Sequence, residues 1–504
     1  MKIFDTAAIR ELDAVTIARE QIPSTLLMER ASQAFVERFT ELYDAEHPVF
    51  IFCGPGNNGG DGLVISRLLF QKGYRVDAWV LYKEGPASKD FSVNYLRLKP
   101  CLATKEFRTM ADFPLLPENA VIIDALFGSG LSRPLEGLAA ELVERINLSG
   151  LPVISVDIAS GLFADHSSQR EKASIIQPYK TISFQLPKLA FMMPENEDLV
   201  GDWEAVPIGL NQEWMEEKET PYHFILPEMI YPLLKKRKKY AHKGSFGHAL
   251  LLLGSHGKMG AAILSARAAL RAGLGLLTVH VPACGYEIIQ ISVPEAMATV
   301  DEAEHYISQL PEFPEKGYQA LGIGPGIGQA PETQQLLLDL LRQANSPLVL
   351  DADALNLLSQ DPAYIQQIPP HSILTPHVKE FARLTRPAEN DFERLELLRD
   401  FASTHLLYVI LKGANTAIAT PQGDVYFNAT GNPGMASAGS GDVLTGMLTA
   451  LLAQGYRPEE SAILGVYLHG LAGDYALYDN SYESLTASSI IDNISEAFRS
   501  VSRN

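Results

Sequence analysis

The sequence predicts an α/β protein of two units, each a parallel sheet with helices on both faces. Three observations carry this. Short apolar runs alternate with helical patterns along most of the chain. Several of those runs end in Gly or Asp and pass into glycine-rich turns that open helices. The alternation lapses around residues 209–245 and then restarts. The chain has 504 residues, more than one compact domain of ~100–200 residues.

Taken in order, apolar positions at helical spacing run through residues 10–40: Ile9, Leu12, Val15 and Ile17, then Leu26, Leu27, Ala31, Ala34 and Phe35. Pro23 breaks that pattern. Residues 49–53 form a strand ending in glycines, and residues 62–73 the helix after it. Strands follow at 76–82, 120–123 and 153–156. Residues 211–220 are acidic and polar, and Lys235-Lys236-Arg237-Lys238-Lys239 is a basic run. A solvated linker or the rim of a phosphate site explains that run better than a nucleic-acid tag on so acidic a chain. The boundary therefore falls near 220–230, giving domains 1–222 and 223–504. The second unit restarts with a strand at 249–253, a helix at 260–273 and a strand at 277–281. Further strands are expected near 318–322, 347–350, 372–375 and 407–411, then a glycine-rich stretch at 431–446 and terminal helices.

Composition is that of a globular protein, 46% hydrophobic and 20% charged. The net charge of −19 argues against a general nucleic-acid binder, which needs a basic surface. Cys53, Cys101 and Cys284 are far apart and form no CxxC pair, so neither a disulfide framework nor a cysteine zinc site is expected. The first residues have no signal-peptide apolar core, and no uncharged apolar run approaches the ~18 residues of a membrane span. A cytoplasmic protein is expected.

The first chemical motif is Gly54-Pro55-Gly56-Asn57-Asn58-Gly59-Gly60-Asp61-Gly62, between a strand and a helix. Gly54, Gly56 and Gly59 satisfy GxGxxG, a weak signal that a tight turn explains equally well. Asn57, Asn58 and Asp61 shift the balance, because three carbonyl-bearing polar groups suit a polar ligand or an oxygen-ligated cation. Two later strands also end in Asp beside glycine turns, Asp124 before Gly128-Ser129-Gly130 and Asp157 before Ser160-Gly161. Ligands of open parallel sheets bind beyond such carboxyl ends.

These segments, with ELDAVTI and IPSTLLMERA near the start, resemble the NAD(P)H-hydrate epimerase domain. The resemblance implies a Rossmann-like αβα sandwich. It implies that Asn57, Asn58, Gly59, Gly60, Asp61, Gly128, Ser129, Gly130, Leu131, Ser132, Arg133, Pro134 and Asp157 contact the hydrated dinucleotide. It assigns potassium to Asn58, Asp124 and Ser160, and Asp157 is the candidate acid/base. The family usually has proline where this chain has Ala159, which predicts a looser turn at Ser160.

In the second half, Gly439-Ser440-Gly441-Asp442 is a glycine turn opening a helix. Its backbone amides suit a phosphoryl group, and Asp442 suits a general base; a simple helix cap is the competing reading. Gly322-Ile323-Gly324-Pro325-Gly326 and Thr375-Pro376-His377-Val378-Lys379-Glu380 follow strands, and Leu411-Lys412-Gly413-Ala414-Asn415-Thr416 ends one. The KGSFGH, GPGIG, TPHVKE, KGANT and GSGD segments resemble ribokinase-like small-molecule kinases and, among them, NAD(P)H-hydrate dehydratases. The resemblance implies a ribokinase-like αβα sandwich. It places ADP on Lys412, Gly413, Ala414, Asn415, Thr416 and Gly441, and the hydrate on Ala261 or Ala262, Gly326, His377 and Asp442. Asp442 would be the catalytic base.

Together the resemblances imply NADH/NADPH-hydrate repair. One unit epimerises the R and S hydrates. The other dehydrates the S hydrate with ADP and Mg²⁺, giving AMP and phosphate. Small-molecule partners only, no membrane and a homo-oligomeric state are expected. The rivals are an ordinary ribokinase-type kinase, a non-catalytic first unit, and a nicotinamide dehydrogenase, for which Glu84 would be the ribose-binding acid.

Overall fold

The computed structural model describes residues 1–82, 85–168, 173–312 and 317–502; Glu84 lies outside them. The chain divides into two compact units, residues 2–220 and, in the main, 221–504.

The first unit opens with helices α1 (Thr6–Glu20) and α2 (Ser24–Leu42). Pro23 separates them as expected, and Gln21 ends α1 at φ 55°. The sheet has seven strands: β1 (Val49–Cys53), β2 (Val76–Leu81), β3 (Lys105–Phe107), β4 (Val121–Ala125), β5 (Val153–Val156), β6 (Lys180–Phe184) and β7 (Asp202–Val206). Their order is β3-β2-β1-β4-β5-β6-β7 and every pairing is parallel. The chain leaves β1 in one direction and returns to β4 on the other side. The crevice between their carboxyl ends is thus the switch point where such sheets take ligands. On β1, Val49, Ile51 and Cys53 enter one core, while Phe50 and Phe52 point the other way and are also buried. Both faces are covered, as a parallel sheet requires.

Helix α3 (Asn57–Gln71) starts five residues before the expected Gly62. The glycines read as a loop lie inside its first turns. A Cβ on Gly59 would sit 1.7 Å from the Gly54 carbonyl oxygen, and one on Gly62 2.7 Å from the Cys53 sulfur. The glycines give up helix propensity so that α3 can touch β1 directly.

The second unit's strands are β8 (Tyr222–Phe224), β9 (His248–Leu252), β10 (Leu276–Val281), β11 (Met297–Val300), β12 (Ala320–Ile323), β13 (Leu348–Leu350), β14 (Ile373–Leu374), β15 (Tyr408–Leu411), β16 (Ala417–Ala419) and β17 (Val425–Phe427). They run in the order β8-β17-β16-β15-β14-β13-β12-β9-β10-β11. From β15 to β11 the sheet is parallel, but β15–β16 and β16–β17 are antiparallel. The expected all-parallel sheet is therefore mixed here. The five residues Lys412 to Thr416 are too few for a crossover and make a hairpin instead. Again both faces are covered: Ala249 and Leu251 of β9 enter one core, and Leu250 and Leu252 are equally buried opposite.

Three helices position the second site: α4 (Met259–Arg271), α5 (Val378–Leu384) and α6 (Ser440–Ala453). Nearly all of α6 is buried. It lies close because glycines remove side chains at its contacts: a Cβ on Gly446 would be 2.1 Å from the Ser265 carbonyl oxygen, and one on Gly322 2.4 Å from the Thr449 hydroxyl. The basic run is docked rather than free, with Arg237 donating to the Gly273 carbonyl and Lys235 to that of Gly455. Among the described residues no helix is long and apolar enough to cross a membrane.

The Gly446 contact makes a stability prediction. Gly446→Ala drives a methyl into the Ser265 backbone of α4 and should cost ~1–3 kcal/mol, the usual cost of overpacking. Gly260→Ala, at a helix position with nothing within 4 Å, should be neutral or stabilising by up to ~1 kcal/mol. Paired thermal or denaturant unfolding of the two variants checks the contrast.

Candidate active sites

In the first unit, Asp124 ends β4 fully buried. Its Oδ1 accepts from Leu126 N at 3.2 Å and Ser160 Oγ at 2.5 Å. Its Oδ2 accepts from Ser160 N at 2.8 Å and Ser155 Oγ at 2.9 Å. Burial pushes its carboxyl above the usual range, and the four bonds act against that shift. Ser160 is fully buried and also receives Phe127 N at 2.8 Å. The turn expected to loosen at Ala159 is thus pinned by hydrogen bonds without a proline. Asn58 packs beside Gly128, where an added Cβ would stand 3.3 Å from its own. Its Nδ2 is buried and has no hydrogen-bond partner. Asn58, Asp124 and Ser160 thus surround one turn, Phe127–Gly128.

Beside this turn opens a cavity of about 500 Å³. Asn57, Asn58, Asp61, Gly128, Ser129, Gly130, Leu131 and Asp157 line it. Gly59 and Gly60 are buried in the first turn of α3, and Ser132, Arg133 and Pro134 form an exposed turn that is not part of the lining. Asp157 has φ 67°, a conformation that costs a non-glycine residue ~1–3 kcal/mol. Its Oδ1 receives Lys188 Nζ at 2.7 Å and Phe184 N at 3.1 Å.

Four charged lining residues escaped the sequence reading: Arg10 and Asp13 on α1, Asp90 and Lys188. Burial and then the neighbouring Asp157 raise the Asp13 carboxyl to about 6, with Lys188 opposing. Burial, then Asp157, push Asp61 well above its ordinary value. Lys188 had a signal, since it is the only charge within Leu186 to Met193, and a lone lysine in an apolar run is a sign of a buried pair.

In the second unit, Asp351 follows β13 and is buried. Its Oδ1 accepts from Lys412 Nζ at 2.9 Å, and its Oδ2 from Thr445 Oγ1 of α6 at 2.7 Å. Glu380 stands 4.0 Å from the same ammonium. Burial works against the Lys412 charge, but Asp351, Glu380 and Asp442 outweigh it and raise its pKa. Gly441 lies directly over this pair; a Cβ there would be 3.3 Å from Lys412 Nζ. Asp442, in the first turn of α6, is raised to about 6 by burial and then by Asp351 and Asp353, with Lys412 pulling it down.

Gly326, at φ 70°, faces Ala261: a Cβ on it would meet the Ala261 methyl at 3.2 Å. Ala262 is wholly buried in the core beneath Gly254. His377 caps α5, its Nδ1 accepting from Lys379 N and Glu380 N at 3.1 Å, while its side chain is about half exposed. It pairs by backbone with Lys412. Lys412, Gly413, Ala414, Asn415 and Thr416 form the β15–β16 turn, closed by Thr416 Oγ1 onto Gly413. Asp351, Asp353 and Thr445 were not expected. Leu348-Val349-Leu350-Asp351 repeats the apolar-strand-to-Asp pattern of Asp124, so the signal was there. Ala352 between the two acids has φ 50°, a second strained residue at a strand end.

Comparison with known proteins agrees with this division. Residues 249–496 match the family model described as NAD(P)H-hydrate dehydratase, and residues 24–190 that described as YjeF-related protein N-terminus. The bifunctional NAD(P)H-hydrate repair enzyme Nnr of Moorella thermoacetica is 36% identical over 98% of this chain and 96% of its own. The chain belongs to the family of bifunctional NAD(P)H-hydrate repair enzymes. The Thermofilum pendens enzyme of the same name is 35% identical over 99% of this chain and 97% of its own. The second unit is also similar to a crystal structure of ADP/ATP-dependent NAD(P)H-hydrate dehydratase from Bacillus subtilis, co-crystallised with ATP/Mg2+. That protein is 32% identical, with 55% of this chain and 98% of that one covered and a TM-score of 0.49. Family members pair an epimerase with a dehydratase, and this chain is such a bifunctional enzyme.

The Asp13 environment predicts a pH-dependent gain. A carboxyl whose folded pKa is raised holds its proton longer in the folded state. The resulting penalty is absent below ~4, grows as pH rises toward ~6 and stays above it. Asp13→Asn should therefore stabilise the first unit by ~1–3 kcal/mol at pH 7.5 and hardly at all at pH 4. Melting temperatures at the two pH values check this; an equal shift at both would contradict it.

Proposed function

We propose that residues 1–222 epimerise the R and S forms of hydrated NADH and NADPH and that residues 223–504 dehydrate the S form with ADP. The observation that carries the dehydratase reading is the Asp351–Lys412 pair beneath the Gly439–Gly441 turn, with Asp442 raised to about 6 beside it. The hydrate hydroxyl is a poor leaving group. Asp442 takes its proton as the oxygen attacks the β-phosphorus of ADP, and AMP departs. The C–O bond then breaks, phosphate leaves with the electron pair, and a proton lost from the neighbouring carbon restores the ring double bond. First-turn amides of α6 at Gly441 and Asp442, free of intrahelical partners by helix geometry, stabilise charge on the phosphoryl oxygens.

Lys412 and the turn to Thr416 fit the nucleotide. Gly413 has open space around it, which lets phosphates approach the backbone. Asp351 and Asp353 both raise Asp442, Lys412 pairs with Asp351 and Lys258 with Asp353, and these carboxylates are the groups that would hold the Mg²⁺ of a nucleotide. A magnesium ion held there would supply positive charge to the phosphoryl oxygens. Of the two alanines, Ala261 fits the hydrate site, because it faces Gly326 while Ala262 is in the core. His377 fits as the rim residue next to Lys412.

In the first unit Asn58, Asp124, Ser160 and the Phe127 carbonyl offer oxygen ligands around one buried formal charge, which suits a monovalent hard cation such as potassium. The unpartnered Asn58 amide supports this, since turning it over presents Oδ1 in place of Nδ2. Asp157, paired with Lys188, is the candidate acid/base for epimerisation, and the raised Asp61 is the candidate proton donor opposite it.

Two variants test these assignments. Asp442→Asn should lower dehydration by ~10²–10⁴-fold and leave epimerisation intact. The wild-type dehydration rate should rise with pH through about 6, as Asp442 loses its proton. Wild-type-like dehydration in the variant would remove Asp442 from the mechanism. Asp124→Ala should lower epimerisation and abolish its response to potassium while ADP-dependent dehydration of S hydrate persists. Unchanged potassium stimulation would remove the cation site.

A further inference from the structure

We infer that His256, Cys284 and His305 form a zinc site at the edge of the second unit. The three residues come from three loops, each at the carboxyl end of one of three adjacent strands. His256 follows β9, Cys284 follows β10 and His305 follows β11. One ligand atom from each lies within 4.8 Å of the others. A tetrahedral zinc with bonds of ~2.0–2.3 Å needs its ligands roughly 3.3–3.6 Å apart, so modest side-chain rotation closes the set. Two imidazoles and a thiolate are the donor chemistry of zinc rather than of magnesium or potassium.

The loops are held to one another by their backbones. His256 N donates to His305 O at 2.8 Å, Ala283 N to Ala303 O at 3.0 Å and Cys284 N to Glu304 O at 3.1 Å. The His305 loop is further fixed on buried Asp301, which accepts from Ala303 N, Ser308 N, Ser308 Oγ and Gln309 N between 2.7 and 3.0 Å. His280 packs against the same carboxylate at 3.2 Å. The backbones that carry the three donors are thus held together, and the side chains need only rotate to meet an ion. Both histidines are exposed and Cys284 is half-buried, so an ion can enter and keeps a fourth position open to water. Binding displaces the thiol proton to solvent and leaves one negative charge from the thiolate.

None of the residues the dehydratase mechanism uses belongs to this set, so the inference stands apart from that reading. It does reach the same loop: Ser255, next to His256, donates to the Gly326 carbonyl at 2.7 Å. No CxxC or HxxxH spacing announces the site, because the ligands are far apart in sequence and meet only through the order β9-β10-β11.

The test uses the full chain. Titration with Zn²⁺ against a chromophoric chelator should give one zinc per chain, and Co²⁺ should give a thiolate-to-metal charge-transfer band in the near ultraviolet. Cys284→Ser should abolish the band. Cys284→Ser and His305→Ala should each weaken zinc by at least ~10–100-fold, the loss that even removal of a supporting partner causes. Cys101→Ser, at a thiol outside the cluster, should leave band and affinity unchanged. Unaltered circular dichroism confirms folding of the variants. No zinc uptake by the wild-type chain at micromolar concentrations, equal uptake by Cys284→Ser, or bound cobalt without a thiolate band would each overturn the site.

Discussion

Each unit is organised around one carboxylate buried at the carboxyl end of a central parallel strand. A buried carboxylate is costly unless its oxygens are satisfied, so the neighbouring elements must bring donors to it. Around Asp124 they are the serines and amides of the next strand ends. Around Asp351 they are Lys412 from two strands away and Thr445 from the buried helix α6. Meeting that demand fixes where the surrounding turns lie, and those turns hold the candidate site residues. Gly128 and Ser160 are placed by Asp124; Gly441, Asp442 and the Lys412 turn are placed by Asp351. The same acids then act at a distance, since Asp351 is a cause of the raised Asp442 pKa.

Much of this was legible in the sequence because parallel strands buried on both faces read as apolar runs. The runs at 49–53, 76–81, 121–125 and 153–156 are such strands, and the Gly54, Asp124 and Asp157 at the ends of three of them mark the candidate functional edge. β3 was missed because Lys105-Glu106-Phe107 has one apolar residue, and β11 because it is a four-residue edge strand, too short to show a period. β6 was missed because Lys180, Thr181 and Ser183 are buried polar residues paired by neighbours, and composition alone cannot show that pairing. The antiparallel hairpin escaped for another reason. The hairpin's second strand, Ala417–Ala419, is only three residues long, and only the shortness of Lys412–Thr416 points to it.

Site residues divide the same way. Candidate residues in glycine-rich turns were legible, since the turns are local in sequence. Asp13, Lys188, Asp351 and Asp353 were not, because each acquires its role from a partner elsewhere in the chain. Lys188 stands 31 residues from Asp157 and Lys412 61 from Asp351. The His256–Cys284–His305 cluster is the extreme case: three isolated residues, none in a motif, joined only by strand order. Asp157 and Ala352 hold positive φ at the strand ends of the two candidate sites, but so do Gln21, Gln185, His371 and Leu406 elsewhere, so strain alone does not mark them.

Two chemistries are proposed for two separate sites, and one incubation addresses both. The full chain is given a mixture of R and S hydrates of NADH, with and without ADP and magnesium, and both epimers, NADH and nucleotide are followed. Without ADP the epimers should relax to a fixed ratio with no NADH formed. With ADP both should disappear together, with one NADH, one AMP and one phosphate per hydrate consumed. Accumulation of a stable phosphorylated hydrate, or an R epimer that persists while S is consumed, would contradict the account.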